Sequence, residues 1–483
     1  MSYVGNSRWT ALGVLSATGL MTILDGSIVT VAMPVIQEDL GFSPAGLSWI
    51  INAYLIPFGG LLLLAGRLGD LIGRRTMFLA GNAIFTAASL LAGAATGPGL
   101  LIAARFLQGV GSALASAVVL GILVTLFTDP GERGKAIAIF SFTGAAGASI
   151  GQVLGGVLTD ALSWPWIFFI NVPIGVATVG LALRALPADR GIGLAAGADV
   201  AGAVLVTTGL MLGIYTVVKV EEYGWLAAHT LGLGAVSLAL LAGFVVRQAT
   251  AKAPLMPLRI LRSRNVAGAN LAQMLALSGM FAFQVLVALY MQRVLGYGAL
   301  DTGLAMLPAA VGIGSISLFV SARLNARFGA RAVLLAGLVL LFAAMLVLTR
   351  VTVDAGYVTH LLPPMLLISG GGLVLPALAT LAMSGARESD AGLASGLFNT
   401  TQQVGMAIGV ALLSTMAASR TGELLATGAG QAAALTGGYR LAFTISAGLL
   451  LAAFAVALLV MRRPTPATAD RPAPEAAAAP VAS

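Results

Sequence analysis

Fourteen long apolar runs dominate this sequence and constrain its fold more than any other feature. Each run has about 20 residues, the length at which an α-helix crosses the hydrocarbon layer of a bilayer. A membrane β-strand needs only about 10 residues and alternates strictly in polarity, which these runs do not. The runs cover 10–34, 47–65, 76–96, 99–127, 137–159, 165–186, 199–218, 230–247, 265–291, 300–322, 332–350, 357–383, 391–417 and 438–461. We therefore predict an all-α integral membrane protein with 14 transmembrane helices.

Charge is scarce, which also favours lipid as the solvent. Of the 483 residues, 58% are hydrophobic and 9% are charged, against about 25% charged residues in soluble domains. The net charge of +8 is spread over short clusters between the apolar runs, so we expect no nucleic-acid partner. The absence of cysteine and the presence of only two histidines argue against a metal site, and no P-loop is present to bind ATP.

Lysine and arginine set the predicted orientation. With the N-terminus in the cytoplasm, twenty of the 26 basic residues fall in inner segments and five in outer segments, as the positive-inside rule requires. We therefore predict a multi-pass protein of the cell (plasma) membrane with both termini cytoplasmic. Residues 1–9 form a short N-terminal tail, and the Pro/Ala-rich residues 464–483 are expected to be a disordered cytoplasmic tail.

The chain contains an internal repeat. Residues 65–81 read AGRLGDLIGRRTMFLAG and residues 321–337 read SARLNARFGARAVLLAG, with seven of seventeen positions identical. Basic loops can converge by the positive-inside rule, but that rule does not require the shared Leu and Gly positions. The repeat predicts six-helix bundles at 10–190 and 256–463, with an inserted helix pair at 191–255. Transporters built from such repeats place the substrate site at the repeat interface.

Several stretches together resemble one known family. GRLGDLIGRR (66–75), LDGSIVTVAMP (24–34), WPWIFFINVPIG (164–175) and GLASGLFNTTQQVG (392–405) are similar to motifs of the fourteen-span drug:proton antiporters of the major facilitator superfamily. Leu71 departs from the motif, which has a basic residue there. The resemblance implies a proton-coupled antiporter that exports hydrophobic or cationic small molecules, such as drugs or antibiotics, by alternating access. It implies protons, a small-molecule substrate and the bilayer as partners, no cofactor, and a monomer.

Asp25 is the acidic residue placed deepest in an apolar run. An ionised Asp at a helix centre costs about 2.5–3.5 kcal/mol on insertion scales, so we expect it to be functional. Counting 1.5 Å per residue places Asp25 roughly 13 Å and Arg105 roughly 9 Å below the outer ends of their helices, close enough to pair. Arginine does not deprotonate, so Asp25 is the titrating member. Thr22 shares the face of Asp25, and this face is expected to line the central cavity.

The resemblance adds a role to this pair. RFLQGVGSA (105–113) is similar to the fourth-span motif whose Arg is implicated in proton coupling. We therefore assign proton coupling to Asp25 and Arg105. The alternative is an ion pair that merely holds two helices together.

The basic loop after the second run is expected to act as a conformational latch, which consists of Gly66, Asp70, Gly73, Arg74 and Arg75. Asp70 is suited to the positive end of a helix dipole, and the resemblance places that helix in the other half of the protein. Ala326 occupies the Asp position in the second copy, so the latch is one-sided. An ordinary positive-inside loop would explain the arginines but not Asp70.

Glycines line one face of the fifth run and predict close helix packing. This helix-packing seam consists of Gly144, Gly147, Gly151, Gly155 and Gly156. It is similar to the antiporter motif of the superfamily, although Gln152 stands where that motif has a Pro. Generic packing between membrane helices would give the same pattern.

Intramembrane polar residues are the candidates for the substrate cavity, since a mostly apolar cavity with few polar groups suits lipophilic ligands. They are Thr22, Gln108, Asn270, Gln273, Gln284, Asn399 and Gln403. Each of them is equally suited to bonding between helices. Two other functions stay open, namely a carrier of lipids or metabolites without proton coupling and a membrane-embedded enzyme. The enzyme would need clustered acidic or His residues at a membrane surface, which are absent from the sequence.

Overall fold

A computed structural model describes residues 6–42, 49–189, 191–193, 199–251, 254–384 and 390–461. Over these residues the regular structure is helical and contains no strand. The N-terminal half contains α1 (Asn6–Leu40), α2 (Trp49–Ile72), α3 (Arg74–Gly93), α4 (Pro98–Leu126), α5 (Pro130–Ala161), α6 (Trp166–Phe169) and α7 (Asn171–Ala185). Two further helices follow, α8 (Val200–Tyr223) and α9 (Ala228–Thr250), which correspond to the predicted inserted pair.

The C-terminal half begins with the short α10 (Arg259–Arg262) and the long α11 (Arg264–Arg293). After α11, a continuous rod of helical segments joins α12 (Ala299–Ser315), a π-helical segment (Ile316–Ser321) and α13 (Ala322–Phe328). Helix α14 (Ala330–Leu348) follows. The next rod joins a second π-helical segment (Tyr357–Leu361), α15 (Leu362–Leu367), a 3₁₀ turn (Ile368–Gly370) and α16 (Gly371–Ser384). The half ends with α17 (Ala391–Ala426) and α18 (Gln431–Leu459).

Each of the fourteen predicted runs lies largely within a helix or a rod of joined helical segments. Thirteen of these, counted over the described residues, are long and apolar enough to cross a membrane. The remaining predicted run, 137–159, lies within α5, a helix of 32 residues. The chain therefore has the all-α membrane architecture expected from its apolar runs. The domain boundaries at 190 and 255 stay a prediction, and the tail 464–483 lies outside the described residues.

The two copies of the repeat have the same local geometry. Gly73 and Gly329 separate two helices in their respective copies and have positive φ values of 110° and 83°, which glycine adopts without steric cost. Two residues later, the Arg75 guanidinium donates to the Leu183 carbonyl, 2.6 Å away, near the end of α7. Its counterpart Arg331 donates to carbonyls near the end of α18. Each half thus ties its basic loop to its own last helix.

The halves meet mainly along α17, which packs against both α2 and α4. The π-helical segment after α12 packs against α5 on another side of the interface. The inserted pair packs as two adjacent helices, with α8 against α2 and α17. Met211 and Ile214 of α8 lie over Gly60 and Gly59 of α2, where an added Cβ would clash with them. The inserted pair therefore covers the line where α2 meets α17.

Candidate functional site

Asp25 lies in a fully enclosed polar site inside the N-terminal half. Its side chain is 0% exposed. One carboxylate oxygen, Oδ2, forms an ion pair with Arg105. The other, Oδ1, accepts hydrogen bonds from Gln108 Nε2 at 3.0 Å and from Asn171 Nδ2 at 2.9 Å. Three donors from α4 and α7 thus hold a carboxylate of α1.

Arg105 is held independently of Asp25. Its Nε donates to the Ile50 carbonyl at 2.9 Å, and NH1 also donates to Gln108 Oε1 at 2.9 Å. The Tyr54 ring centroid lies 4.5 Å from the guanidinium carbon, and the Phe168 ring centroid lies at 5.9 Å. A cation over an aromatic face in a desolvated site gains about 2 kcal/mol. The guanidinium therefore has several partners besides Asp25.

The side chains on the predicted cavity-lining face are buried in this structure. Thr22 is buried and donates to the Thr18 carbonyl at 3.0 Å, and Thr18 bonds to Asn82 Oδ1 at 3.1 Å. Gln108 is 0% exposed and donates to Ser89 Oγ at 2.8 Å as well as to Asp25. Both side chains thus bond to protein groups in this conformation, and their place in a substrate cavity stays a prediction.

The sequence interpretation missed Asn171, Tyr54 and the Ile50 carbonyl. Asn171 begins α7, directly after Ile170 links the short α6 to it. It is the polar residue of the INVPIG segment, inside an apolar run. That signal was present in the sequence, but nothing in the spacing relates Asn171 to Asp25, 146 residues away.

The glycine seam holds the helix that carries Asp25. A Cβ at Gly151 would lie 2.9 Å from the Leu24 carbonyl, and one at Gly155 would lie 2.8 Å from the Ile28 carbonyl. Gly144 and Gly147 face the Ile23 side chain in the same way, whereas a Cβ at Gly156 would meet nothing within 4 Å. Four of the five glycines therefore pack against α1, and Gly156 does not. The side chain of Gln152 lies outside the described residues.

Asp70 joins the two halves. Its Oδ1 accepts from the Gly392 backbone N–H and its Oδ2 from the Leu393 N–H, both at 2.9 Å, at the start of α17. Arg74 Nε and NH2 hold Oδ1 at 3.1 and 3.0 Å. A Cβ at Gly66 would lie 3.1 Å from Gly396 Cα, so the glycine permits the close approach of α2 and α17. An acidic side chain at a helix N-terminus is favourable because it meets unpaired N–H groups and the dipole.

The remaining latch residues act within the N-terminal half. Asp189, which the sequence interpretation missed, accepts from the backbone N–H groups of Arg74 at 2.5 Å and Arg75 at 3.1 Å. It thereby caps α3, since those are the first two residues of that helix. A Cβ at Gly73 would lie 3.0 Å from the Asp189 carbonyl. The end of α2 is thus bonded to α17 through Asp70, and the start of α3 is bonded within its own half through Asp189.

The other cavity candidates occupy different environments. Asn270 is buried and bonded to Thr401 Oγ1 at 2.8 Å. Gln273 is buried, and its Oε1 has no hydrogen-bond partner among the described residues. Gln284 is exposed on α11. Asn270 therefore bonds α11 to α17 in this structure.

Asn399 and Gln403 lie on α17 at the interface between the halves. Asn399 donates to the Ser116 carbonyl of α4 at 3.2 Å and to the Ser395 carbonyl at 3.0 Å. Gln403 is half-buried, and a Cβ added at Gly59 of α2 would lie 3.6 Å from its Cβ. Asn399 therefore bonds the halves together in this structure.

Comparison with known proteins agrees with this architecture. Residues 15–410 match the Major Facilitator Superfamily. The chain belongs to that superfamily. It is 38% identical to the puromycin resistance protein pur8 of Streptomyces alboniger, over 92% of the chain and 89% of the relative. It is 40% identical to the cephamycin export protein CmcT of Amycolatopsis lactamdurans, over 85% of each.

Solved structures of the superfamily have the same fold. The human organic anion transporter MFSD10 aligns with a TM-score of 0.67 at 15% identity, over 93% of this chain and 99% of that one. The proton:xylose symporter XylE aligns with a TM-score of 0.61 at 13% identity, over 93% and 96% of the two chains. The superfamily match and the relatives named above make the chain a multi-pass membrane transporter of small molecules and not an enzyme.

Proposed function

We propose that this superfamily member is a proton-coupled antiporter that exports hydrophobic or cationic small molecules, antibiotics among them, from the cytoplasm. The observation that carries the proposal is the fully buried ion pair between Asp25 and Arg105. Charges buried at membrane depth mark proton relays and substrate pathways. The relatives named for antibiotic resistance and export support the substrate class.

Coupling follows from two opposing influences on Asp25. The positive charge of Arg105 favours the ionised carboxylate, whereas burial favours the protonated form. Rocking of the halves between an outward-facing and an inward-facing state changes the hydration of the site or the Asp25–Arg105 spacing. The proton affinity of Asp25 therefore differs between these two access states. A proton that enters down the membrane potential supplies about 2.3 kcal/mol per 100 mV.

Contacts between the halves support a proposal for the closed side of the transporter. Asp70 bonds to α17, Asn399 bonds to Ser116, and Ser317 Oγ donates to the Ala138 carbonyl at 3.1 Å. Asp70 lies beside the basic loop that the positive-inside rule assigns to the cytoplasm. We infer that this conformation is closed toward the cytoplasm. We also propose that the protein is a monomer in the plasma membrane and that both its termini are cytoplasmic.

Proteoliposomes with an imposed pH gradient test the proposal. We expect the native chain to accumulate members of an antibiotic panel only when the gradient is present, and Asp25→Asn to abolish this accumulation. The matched control is Asp39→Asn, which changes an exposed carboxylate in the same helix and should transport normally. Full gradient-driven transport by Asp25→Asn would refute the assignment of Asp25.

A further inference from the structure

Asn171 has a side chain that is only half used. The residue is 0% exposed, and its Nδ2 donates to Asp25 Oδ1 at 2.9 Å. Its Oδ1 is buried and has no hydrogen-bond partner among the described residues. Buried amide oxygens in proteins are nearly always paired. An unpaired acceptor therefore lies beside the carboxylate of Asp25, which takes up a proton under the proposed function.

Protonation of Asp25 creates a need for such an acceptor. The acid form carries an O–H donor, and a buried donor without a partner is unfavourable. Gln108 Oε1 and the Ile50 carbonyl already accept from Arg105. The Asn171 oxygen, by contrast, accepts from no group among the described residues.

The charged and titratable neighbours leave this role to Asn171. Arg105 on α4 only donates, and the Tyr54 hydroxyl on α2 donates to Ser112 Oγ at 3.0 Å. The described part of α5 presents Gly151 and Gly155 to α1, and α6 presents Phe168 to Arg105. Of these charged and titratable groups, Arg105 is the one bonded to Asp25, and it cannot accept a hydrogen bond.

We propose that Asn171 is a positioning residue that serves both protonation states of Asp25. It donates Nδ2–H to the carboxylate, and after a half-turn of its amide it accepts the O–H of the carboxylic acid. Arg105 meanwhile keeps the Ile50 carbonyl, Gln108 and the Tyr54 ring. The O–H of protonated Asp25 then keeps an acceptor inside the buried site. This inference rests on the proposed function, because it requires Asp25 to titrate.

Infrared difference spectroscopy between high and low pH tests the inference on the reconstituted protein. The C=O stretch of protonated Asp25 is identified as the band that Asp25→Asn removes. We expect Asn171→Leu to shift this band to higher wavenumber, because the acid loses its acceptor. Asn171→Ser, whose hydroxyl both donates and accepts, should shift it less. An unchanged band in a folded Asn171→Leu protein would overturn the proposal.

A second measurement needs no variant of Asn171. With asparagine labelled by ¹³C at the side-chain carbonyl, protonation should lower the wavenumber of one labelled amide band, and Asp25→Asn should remove this change. If no labelled band responds to pH while Asp25 still titrates, the proposed role of Asn171 is contradicted. Absence of any Asp25 band in the native chain would instead refute the proposed function.

Discussion

A buried carboxylate in a membrane protein persists only where donors surround it, and Asp25 has three. Removing one partner of a buried ion pair leaves an uncompensated charge and costs about 3–5 kcal/mol, whereas replacing both partners is much milder. The Asp25 side chain is 0% exposed and the Arg105 side chain is 1% exposed, so the two form a buried ion pair of this kind.

We therefore expect Arg105→Met to lower the melting temperature in detergent strongly, and Asp25→Asn combined with Arg105→Met to recover most of the loss. The physical reason is that the double variant leaves no unpaired charge. Thermal unfolding followed by tryptophan fluorescence measures the difference. A double variant as unstable as Arg105→Met alone would show that the coupling between the two charges is weak.

The sequence predicted the pairing of Asp25 with Arg105 but not the other side chains around the pair. Counting residues from the helix ends placed Asp25 and Arg105 at similar depth, because rise per residue is fixed in a helix. The rotation of α1 was not predictable in the same way. An apolar helix with polar residues on several sides does not reveal which side faces a cavity, and Asn171 joins the site only through tertiary packing.

Helices α1 and α5 are held together by the glycine seam, which was predictable from its spacing. The partner helix was not, because glycines mark a packing face without naming what packs there. The structure shows α1 as that partner, with the Leu24 carbonyl against Gly151. The seam therefore fixes the position of Asp25, the next residue after Leu24.

Gly151→Ala should push α1 away from α5, since the new Cβ would lie 2.8 Å from Ser27 Cβ and 2.9 Å from the Leu24 carbonyl. We expect lower thermal stability and slower transport. Gly156→Ala is the matched control, because its Cβ would meet nothing within 4 Å. Equal behaviour of the two variants would contradict the assigned packing.

The inserted pair is joined at one end by Asp199. This N-cap of α8 accepts from the Gly202 N–H, Gln248 Nε2 and Arg247 Nε, at 2.9, 2.8 and 3.1 Å. Burial alone would raise the pKa of Asp199, but these hydrogen bonds outweigh burial and lower the pKa below its usual value. The carboxylate therefore ties the start of α8 to the end of α9 in its ionised form.

Because the folded pKa is depressed, Asp199 stabilises the fold above its unfolded pKa of about 3.9, and the stabilisation is lost as pH falls through the lower folded value. Loss of an N-cap Asp costs about 1 kcal/mol. We expect Asp199→Ala to melt below the native chain by a constant margin from pH 7 to about 4, and by a smaller margin below. A margin that grows on acidification would contradict this sign.

The complete transporter depends on a few bonds between its halves. The repeat predicted two related loops, and the structure gives them matching glycines and arginines. Only the first loop carries an acid, so only Asp70 reaches across to α17. Asn399 was interpreted as a cavity candidate, and its bond to Ser116 was not foreseeable because sequence contains no information on which conformation is closed.

Asp70→Asn should slow transport without abolishing substrate binding. An Asn offers one acceptor oxygen where two N–H groups of α17 need one each, and a lost charge-assisted hydrogen bond is worth about 1.5–3 kcal/mol. That shifts the balance between the access states by about tenfold or more. Distances between spin labels on the two halves, together with substrate binding, measure the effect.

Asp189→Asn is the control for this variant, since Asp189 caps α3 within its own half. We expect it to leave the spin-label distances unchanged. If Asp70→Asn also left the distances and the transport rate unchanged, Asp70 would not control the access state.

The most direct test of the central claim is proton release on substrate addition. The purified protein in weakly buffered detergent is mixed with an exported antibiotic while a pH-sensitive dye is monitored. We expect the native chain and Asp39→Asn to release protons and Asp25→Asn to release none. Equal release by Asp25→Asn and the native chain would contradict the claim that Asp25 carries the coupled proton.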